Sequence, residues 1–525
     1  MNWPERLELF LSPEQRNGFL ERVGLQVSPQ DYRHIESLCQ LVTAIGKDNL
    51  AKLHWLFDRN NETTDRICPM VEPMPESVES ALPAAPKAVA KGHGRCGANQ
   101  YTGAQWLEVK HPSVCQDQQC PHCQKGLLRA QRRRGVLLRI EGSPPISATG
   151  WSLEKLRCDA CGDVFTAPAP PQAGTSKYDE SVGVMVALLR YGSGMPHYRL
   201  ARLQQSLGVP LAESTQWELL VPLFQAAQPI FDELLRQTAQ GSVFHNDDTS
   251  MRILELRREG SATAAAIDPK RTGTFTTSIV GGVEKYAVVL FMTGWQHAGE
   301  NLAKMLQRRG QQLPQPIQMC DALSRNTCGE FDTLVANCLS HGRRQFVPLA
   351  ASFPQQVRFV LEQIGAVYRA DAQAKKLGLS AQERLCHHQT HSQPVMDRLQ
   401  QWMNQQVADK QVEPNSGLGQ AFQYMLNHWE PLTLFLRQPA APLDNNICER
   451  TLKMAILHRK NSLSYKTLNG AQTGDLFMSL IHTCRLNRIN PYDYLLAIAK
   501  APQKVQAQPQ DWLPWNYPKP TSDSS

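Results

Sequence analysis

The chain lacks any uncharged apolar stretch near the roughly 18 residues that a membrane-spanning helix needs, and Val182–Leu189 is among its longest apolar runs. Its opening, Met1-Asn-Trp-Pro-Glu-Arg, has neither the basic start nor the apolar core of a secretory leader. These absences exclude a helical membrane protein and predict a cytoplasmic one. A large overall charge excess is missing too, with a formal +7 spread over 525 residues. Composition is otherwise ordinary for a soluble protein, at 42% hydrophobic and 20% charged residues. Fourteen cysteines in a reducing compartment point to thiols or metal ligands rather than a disulfide framework.

What charge there is sits in one place. Between Lys87 and Ile140 ten Lys or Arg face only Glu108 and Asp117, a local +8 that leaves the rest of the chain near neutral. A basic block of this kind suits a polyanion such as DNA, because each neutralised phosphate releases counterions. The length exceeds one ordinary core, and composition divides it. Residues 1–71 read as helical, with an apolar repeat Ile35, Leu38, Val42, Ile45, Leu53 and Leu56 that fits either a short coiled coil or an amphipathic helix. Residues 72–94, rich in Pro and Ala, read as a linker, and 95–170 carry the cysteines and arginines. Residues 171–240 form a helical bridge in which Tyr198–Val209 fits a helix-turn-helix or a plain helical hairpin. Strand-like runs fill much of 241–345, helices fill 346–440, and a further helix starts near Asp444 within 441–507. Residues 508–525, rich in Pro, Trp and Ser, are expected to pack loosely.

Two Cys-x-x-Cys units, Cys120-Pro-His-Cys123 and Cys158-Asp-Ala-Cys161, stand 34 residues apart. Each spacing lets one turn present two thiolates to the same ion, and four thiolates close a tetrahedral Zn²⁺ site with no open position. The metal expected here is structural. Arg129, Arg132, Arg133 and Arg134 lie in the chain between the two pairs and are candidates for phosphate contact. A Cys386-His-His cluster with His391 lacks ligand spacing and reads as ordinary helix.

Phosphodiester cleavage needs an activated oxygen nucleophile and a stabilised leaving oxygen, and Mg²⁺ ions held by carboxylates can supply both. Asp247 at the end of an apolar strand start, Asp321 after the strand Ile317–Cys320, and Glu449 early in the helix after Asp444-Asn-Asn suit that task. Two strand-end acids and a helical acid are the layout of a ribonuclease-H-like core. The fold expected is thus multidomain α/β: such a core with a helical insertion, preceded by a zinc ribbon and a helical N-terminal module.

A series of blocks in order gives the acids more weight than their number alone. They include Gly92-His-Gly-Arg, the cysteine pairs, Tyr191-Gly-Ser-Gly, His245-Asn-Asp-Asp-Thr and Gln296-His-Ala-Gly-Glu-Asn. Cys320-Asp-Ala-Leu-Ser-Arg, Cys338-Leu-Ser-His-Gly-Arg-Arg, Leu443-Asp-Asn-Asn-Ile-Cys-Glu-Arg and His458-Arg-Lys-Asn follow. From Gly92 to about Tyr517 the chain resembles transposases of the insertion-sequence 66 class. The resemblance implies a DDE triad of Asp247, which opens the Asp-acid-Thr motif, Asp321 and Glu449, holding Mg²⁺ or Mn²⁺; the adjacent Asp248, on the opposite face of a strand, is the alternative first acid. It implies that the chain binds terminal inverted repeats, cleaves the element ends and joins the 3′-hydroxyl to target DNA. It also implies a homo-oligomer assembled on DNA and small accessory proteins from the same element. Arg343, Arg344, Arg450, Lys453, Arg459 and Lys460 are candidate DNA contacts, Lys453 being one helical turn from Glu449. Two other readings stand beside this one. One is a nuclease or resolvase that cuts without joining, and the other a non-catalytic zinc-dependent DNA-binding protein.

Overall fold

The computed structural model describes residues 64–68, 112, 115–119, 121–129, 144–157, 164–257 and 273–518. The Ile35–Leu56 repeat, the 72–94 linker, Cys120, Cys158, Cys161, Arg132, Arg133 and Arg134 lie outside the described residues. The chain divides into two compact units, Glu72–Thr149 on its own and Met1–Val71 with Gly150–Ser525.

In the smaller unit, Gln119 bridges Leu127 in antiparallel fashion, and Asp117 N–H and Leu128 N–H donate to Leu128 O and Gln118 O at 2.8 Å each. This reversal carries exposed Cys123, and its exposed Arg129 pairs with Asp117. In the larger unit, β1 (Lys155–Arg157) and β2 (Val164–Thr166) pair antiparallel on either side of the Cys158–Cys161 stretch.

The expected helical bridge consists of α1 (Glu180–Ala187), α2 (His197–Ser206) and α3 (Glu213–Thr238). Asp179 opens α1 by accepting the Ser181 N–H. Leu220, Leu223, Ala227, Ile230 and Leu234 recur at three- and four-residue steps and are the buried stripe of α3.

Beyond it lie β3 (Val243–Ser250), β4 (Arg252–Ile253), β5 (Phe275–Val283), β6 (Tyr286–Gly294), α4 (Ala298–Leu306), β7 (Ile317–Cys320) and β8 (Leu334–Asn337). Five of the strands make one mixed sheet in the order β6-β5-β3-β7-β8. β5 is antiparallel to β3 and β6, whereas β7 is parallel to β3 and β8. β3 runs farther than its sequence suggests, so Asp247 lies inside the strand and not at its end. His245-Asn-Asp-Asp-Thr is poor strand sequence. It is held extended by pairing, because each residue from His245 to Ser250 has a partner in β5.

α5 (Leu339–Phe346) follows β8. The helical insertion then comprises α6 (Pro354–Lys376), α7 (Ala381–His391), α8 (Gln393–Ala408) and α9 (Gly417–Asn427). It shares a core with the sheet: Val357, Val360, Leu361, Met396 and Phe422 are buried with Ile317, Met319 and Ala336. In the Cys386–His391 stretch, His388 is buried against Asp371 and Ser392.

After α10 (Asn446–Ser462), β9 (Ser464–Tyr465) pairs with β4. Helices α11 (Leu468–Leu486) and α12 (Pro491–Lys500) come next. The segment from 508, expected to be loose, is in fact packed as far as Tyr517. Leu513 is fully buried, Tyr494 Oη donates to Trp512 O at 2.8 Å, and Trp515 stacks on Tyr286 with centroids 4.6 Å apart. Its aromatic residues supply apolar area that polar periodicity does not reveal.

β6 is an edge strand, yet its outward N–H groups are satisfied by a polar stripe on and just beyond α11. Asp475 Oδ2 accepts from Thr293 N–H at 2.6 Å, Ser479 Oγ from Phe291 N–H at 2.8 Å, Thr483 Oγ1 from Val289 N–H at 3.1 Å and Asn487 Oδ1 from Ala287 N–H at 3.2 Å. Four helical residues advance about 6 Å and two strand residues about 6.8 Å, so the two ladders stay in step. Replacing Thr483→Val keeps the volume but strips the acceptor from the buried Val289 N–H. The expected cost is about 1–3 kcal/mol of stability with the fold retained, measured by denaturant unfolding; an unchanged midpoint would count against the ladder.

Candidate active site

Alternation along β3 sends Asp247 and Asp248 to opposite faces of the sheet. Asp247 lies opposite Ser278 in the register with β5, and Ser278 Oγ bonds Thr451 Oγ1 of α10 at 2.7 Å. Asp248 lies opposite Thr277, whose Oγ1 accepts from Asn301 of α4 at 2.8 Å. Helix α10 therefore covers the Asp247 face and α4 the Asp248 face. The Asp248 side chain is 1% exposed and engaged by His297 Nδ1 at 3.0 Å and Arg325 at 3.5 Å.

Asp321 follows β7, which lies beside β3 in parallel, and belongs to the same face as Met319 and Asp247. A side chain that sequence patterns did not single out joins the two acids. Asn326 Nδ2 reaches Asp321 Oδ1 at 2.7 Å and Asp247 Oδ1 at 3.3 Å. Asn326 is fully buried, and its carbonyl oxygen accepts from Asn246 Nδ2 and Gln318 Nε2 at 2.7 Å each. The loop carrying it lies close against α4 because residue 299 is glycine; a Cβ there would stand 2.2 Å from Thr327 O. The Gln296–Asn301 block thus reads as support. Glu300 accepts the His297 N–H at 2.8 Å to start α4, and His297 then grips Asp248.

Glu449 enters from the first turn of α10. Asn445, just before that helix, donates from Nδ2 to Asn246 O at 3.0 Å. Its Oδ1 meets His245 Nδ1 at 3.2 Å, and its N–H reaches Cys338 Sγ at 3.2 Å. Arg344 of α5 bonds Glu449 Oε2 at 2.9 Å, and His341 Nε2 stands 3.7 Å from Oε1.

Burial raises the Asp247 carboxyl to about 7, and the negative charges of Asp321, Asp248 and Glu449 add to the rise despite the bond from Asp248 N–H. Carboxylates gathered with too little positive charge are the environment a cation relieves. The three acids are not drawn tight: among the described residues, the trio of candidate metal donors lying within 4.8 Å of one another is Cys338, His341 and Glu449.

The candidate DNA contacts divide. Arg450, Lys453 and Lys460 are exposed on α10. Arg459 instead donates to Thr249 Oγ1 at 2.9 Å and to Ser250 O at 2.6 Å, fixing the end of β3. Arg344 is exposed while bound to Glu449, and Arg343 is half-buried. His458 of the His458-Arg-Lys-Asn block is fully buried between Tyr191 and Tyr465, with ring centroids at 6.1 and 4.8 Å. Two sequence blocks thus meet there as packing, and Asn461 Nδ2 adds a 3.0 Å bond to Gly194 O.

Among the described residues no helix is long and apolar enough to cross a membrane. The Uncharacterized protein y4jD of Sinorhizobium fredii is 26% identical over 383 residues, covering 69% of this chain and 70% of that protein. The Uncharacterized protein y4hP of the same organism is also 26% identical, over 388 residues covering 69% and 67%. No solved structure is a significant match. The family described as Transposase IS66 family matches residues 175–473, a span from the helical bridge through the sheet, the insertion, α10 and into α11. The chain belongs to that transposase family, and its general activity is DNA transposition.

Proposed function

We propose that the chain is a DDE-type transposase that cleaves the ends of an insertion sequence and joins the freed 3′-hydroxyl to target DNA. Asp247, Asp321 and Glu449 are its catalytic carboxylates. The observation that carries this reading is the meeting of Asp247 and Asp321 on one Asn326 amide, at the junction of adjacent parallel strands. The strand order β6-β5-β3-β7-β8, with only β5 antiparallel to its neighbours, further supports a ribonuclease-H-like core.

The donor set fits Mg²⁺ or Mn²⁺, since it is all oxygen, partly buried and short of positive charge. When bound, such ions polarise the attacking and leaving oxygens of the phosphodiester. Within the chain, Asn326 holds the two aspartates in register, while Arg344 neutralises Glu449 until a competing charge arrives. Exposed Arg450, Lys453 and Lys460 on α10 offer cations to the DNA backbone. Zn²⁺ held by Cys120, Cys123, Cys158 and Cys161 is structural in this reading, supported by the two Cys-x-x-Cys spacings. Arg129, Arg132, Arg133 and Arg134 contact the terminal repeats, and the protein acts on DNA as a homo-oligomer with accessory proteins.

Asp321→Asn is expected to abolish both cleavage of a repeat-end duplex and joining of a pre-cut end. Wild-type cleavage without any joined product would favour a nuclease instead. Asn326→Ala should lower activity or Mn²⁺ affinity about 10–100-fold, the usual range for a residue that orients ligands. The pH dependence has a definite sign. Between the ordinary value of 3.8 and about 7 the folded protein holds more protons at Asp247 than the unfolded chain does. Its contribution to stability is therefore present below pH 3.8 and declines as pH rises through 7. A cation must displace that proton, so Mn²⁺ affinity should climb towards pH 7 and level off above it, as read by titration. Affinity that is flat from pH 6 to 8 would remove Asp247 from the ligand set.

A further inference from the structure

We propose that Cys338, His341 and Glu449 form a second cation site, selective for a thiophilic divalent ion of the Zn²⁺ class, which competes for Glu449 with the carboxylate pair Asp247 and Asp321. The sharing of Glu449 rests on the reading of that residue given above; the ligand set itself does not. One sulfur, one imidazole nitrogen and one carboxylate oxygen lie within 4.8 Å of one another. Three such donors with a fourth position open suit tetrahedral Zn²⁺ or Co²⁺, whereas Mg²⁺ has little use for sulfur.

The fold builds this arrangement from two helix starts. Cys338 is the N-cap residue of α5 and His341 lies in its first turn, a Cys-x-x-His spacing. Glu449 lies in the first turn of α10. Leu339 N–H donates to Leu443 O at 3.0 Å and Asn445 N–H to Cys338 Sγ at 3.2 Å, tying the two starts together. Burial and the nearby carboxylates raise the Cys338 thiol despite the helix start, so the free site holds a thiol whose proton the ion must displace.

Two further observations point to a ligand. Glu449 Oε1 and His341 Nδ1 are buried without a hydrogen-bond partner, which is costly; His341 Nε2 stands 3.7 Å from Oε1 and 3.3 Å from Arg344 Nη1. Arg344 binds the other oxygen, Oε2, and leaves Oε1 for the ion. A thiolate and a carboxylate together outweigh that single guanidinium charge. As the ion binds, the thiol proton leaves to solvent and a sulfur–metal bond forms. Glu449 is then committed to the soft ion.

Co²⁺ titration of the full-length protein tests the site, because a cobalt–thiolate bond gives a charge-transfer absorption that oxygen ligands do not. Wild type, Cys338→Ser, His341→Ala and Asp321→Asn are compared, with folding checked by circular dichroism. All four carry the same Cys120, Cys123, Cys158 and Cys161, so their differences isolate the new site. The expected result is a charge-transfer component present in wild type and Asp321→Asn and lost in Cys338→Ser and His341→Ala. Equal spectra for folded wild type and Cys338→Ser would overturn the proposal, and so would loss of the component in Asp321→Asn. Should both ligand variants misfold, Glu449→Gln replaces them: it keeps size and both other donors, and an unweakened cobalt affinity would overturn the site. Wild type that shows the component but cleaves no DNA with Mg²⁺ would sink the transposase chemistry and leave this site standing.

Discussion

The exposed edge of β6 would be a row of unpaired backbone groups, open to pairing with another chain. Its closure by side chains of α11 is the interaction on which the sheet depends. The helix and the strand advance at nearly the same rate, so one polar stripe serves every outward N–H from Thr293 to Ala287. With that edge fixed, β6 holds β5 across nine paired positions, and β5 holds the polar sequence of β3 extended. The register that puts Asp247 on the α10 face is thus secured two strands away from it.

Inside the sheet the polar residues are as ordered as the apolar ones. Asn246, Gln318 and Asn326 are fully buried and bonded to each other. A buried network that is this well connected specifies one arrangement, because any slip leaves a donor or acceptor bare. The loop after β7 is consequently tied down at Asn326, which bridges two acids that would otherwise repel. The helical insertion belongs to the same construction. Its core includes Met319, two residues before Asp321, so it braces the acidic end of β7 from below.

Much of this was legible in the sequence and some was not. The helical bridge, most strands, the insertion and the start of α10 followed from periodicity, because those segments bury continuous apolar stripes. The length of β3 did not follow, since His245-Asn-Asp-Asp-Thr has little strand propensity and is held by its neighbours. β8, Leu-Val-Ala-Asn, did not follow either, since it carries no alternation. The segment after 508 looked unstructured because its packing rests on Trp512, Leu513, Trp515 and Tyr517 and not on a repeat. In the candidate site the acids were named from sequence blocks, and supports such as His297, Gly299 and Asn445 stood in those blocks without a role assigned to them. Asn326 and Gly299 act through contacts with chain distant in sequence, and nothing local distinguishes that asparagine from others. Arg459, expected to face DNA, is instead bonded to the end of β3.

Neighbouring aspartates on β3 have one more implication. In charge alone the strand is redundant, since a one-residue shift would slide Asp248 to where Asp247 stands and still present an acid. The spare letter does not make the strand ambiguous. The same shift would turn Phe244 and Asn246, both fully buried on the other face, out of an apolar fit and a buried polar network. The two acids duplicate the charge, and their buried companions fix which of them faces α10.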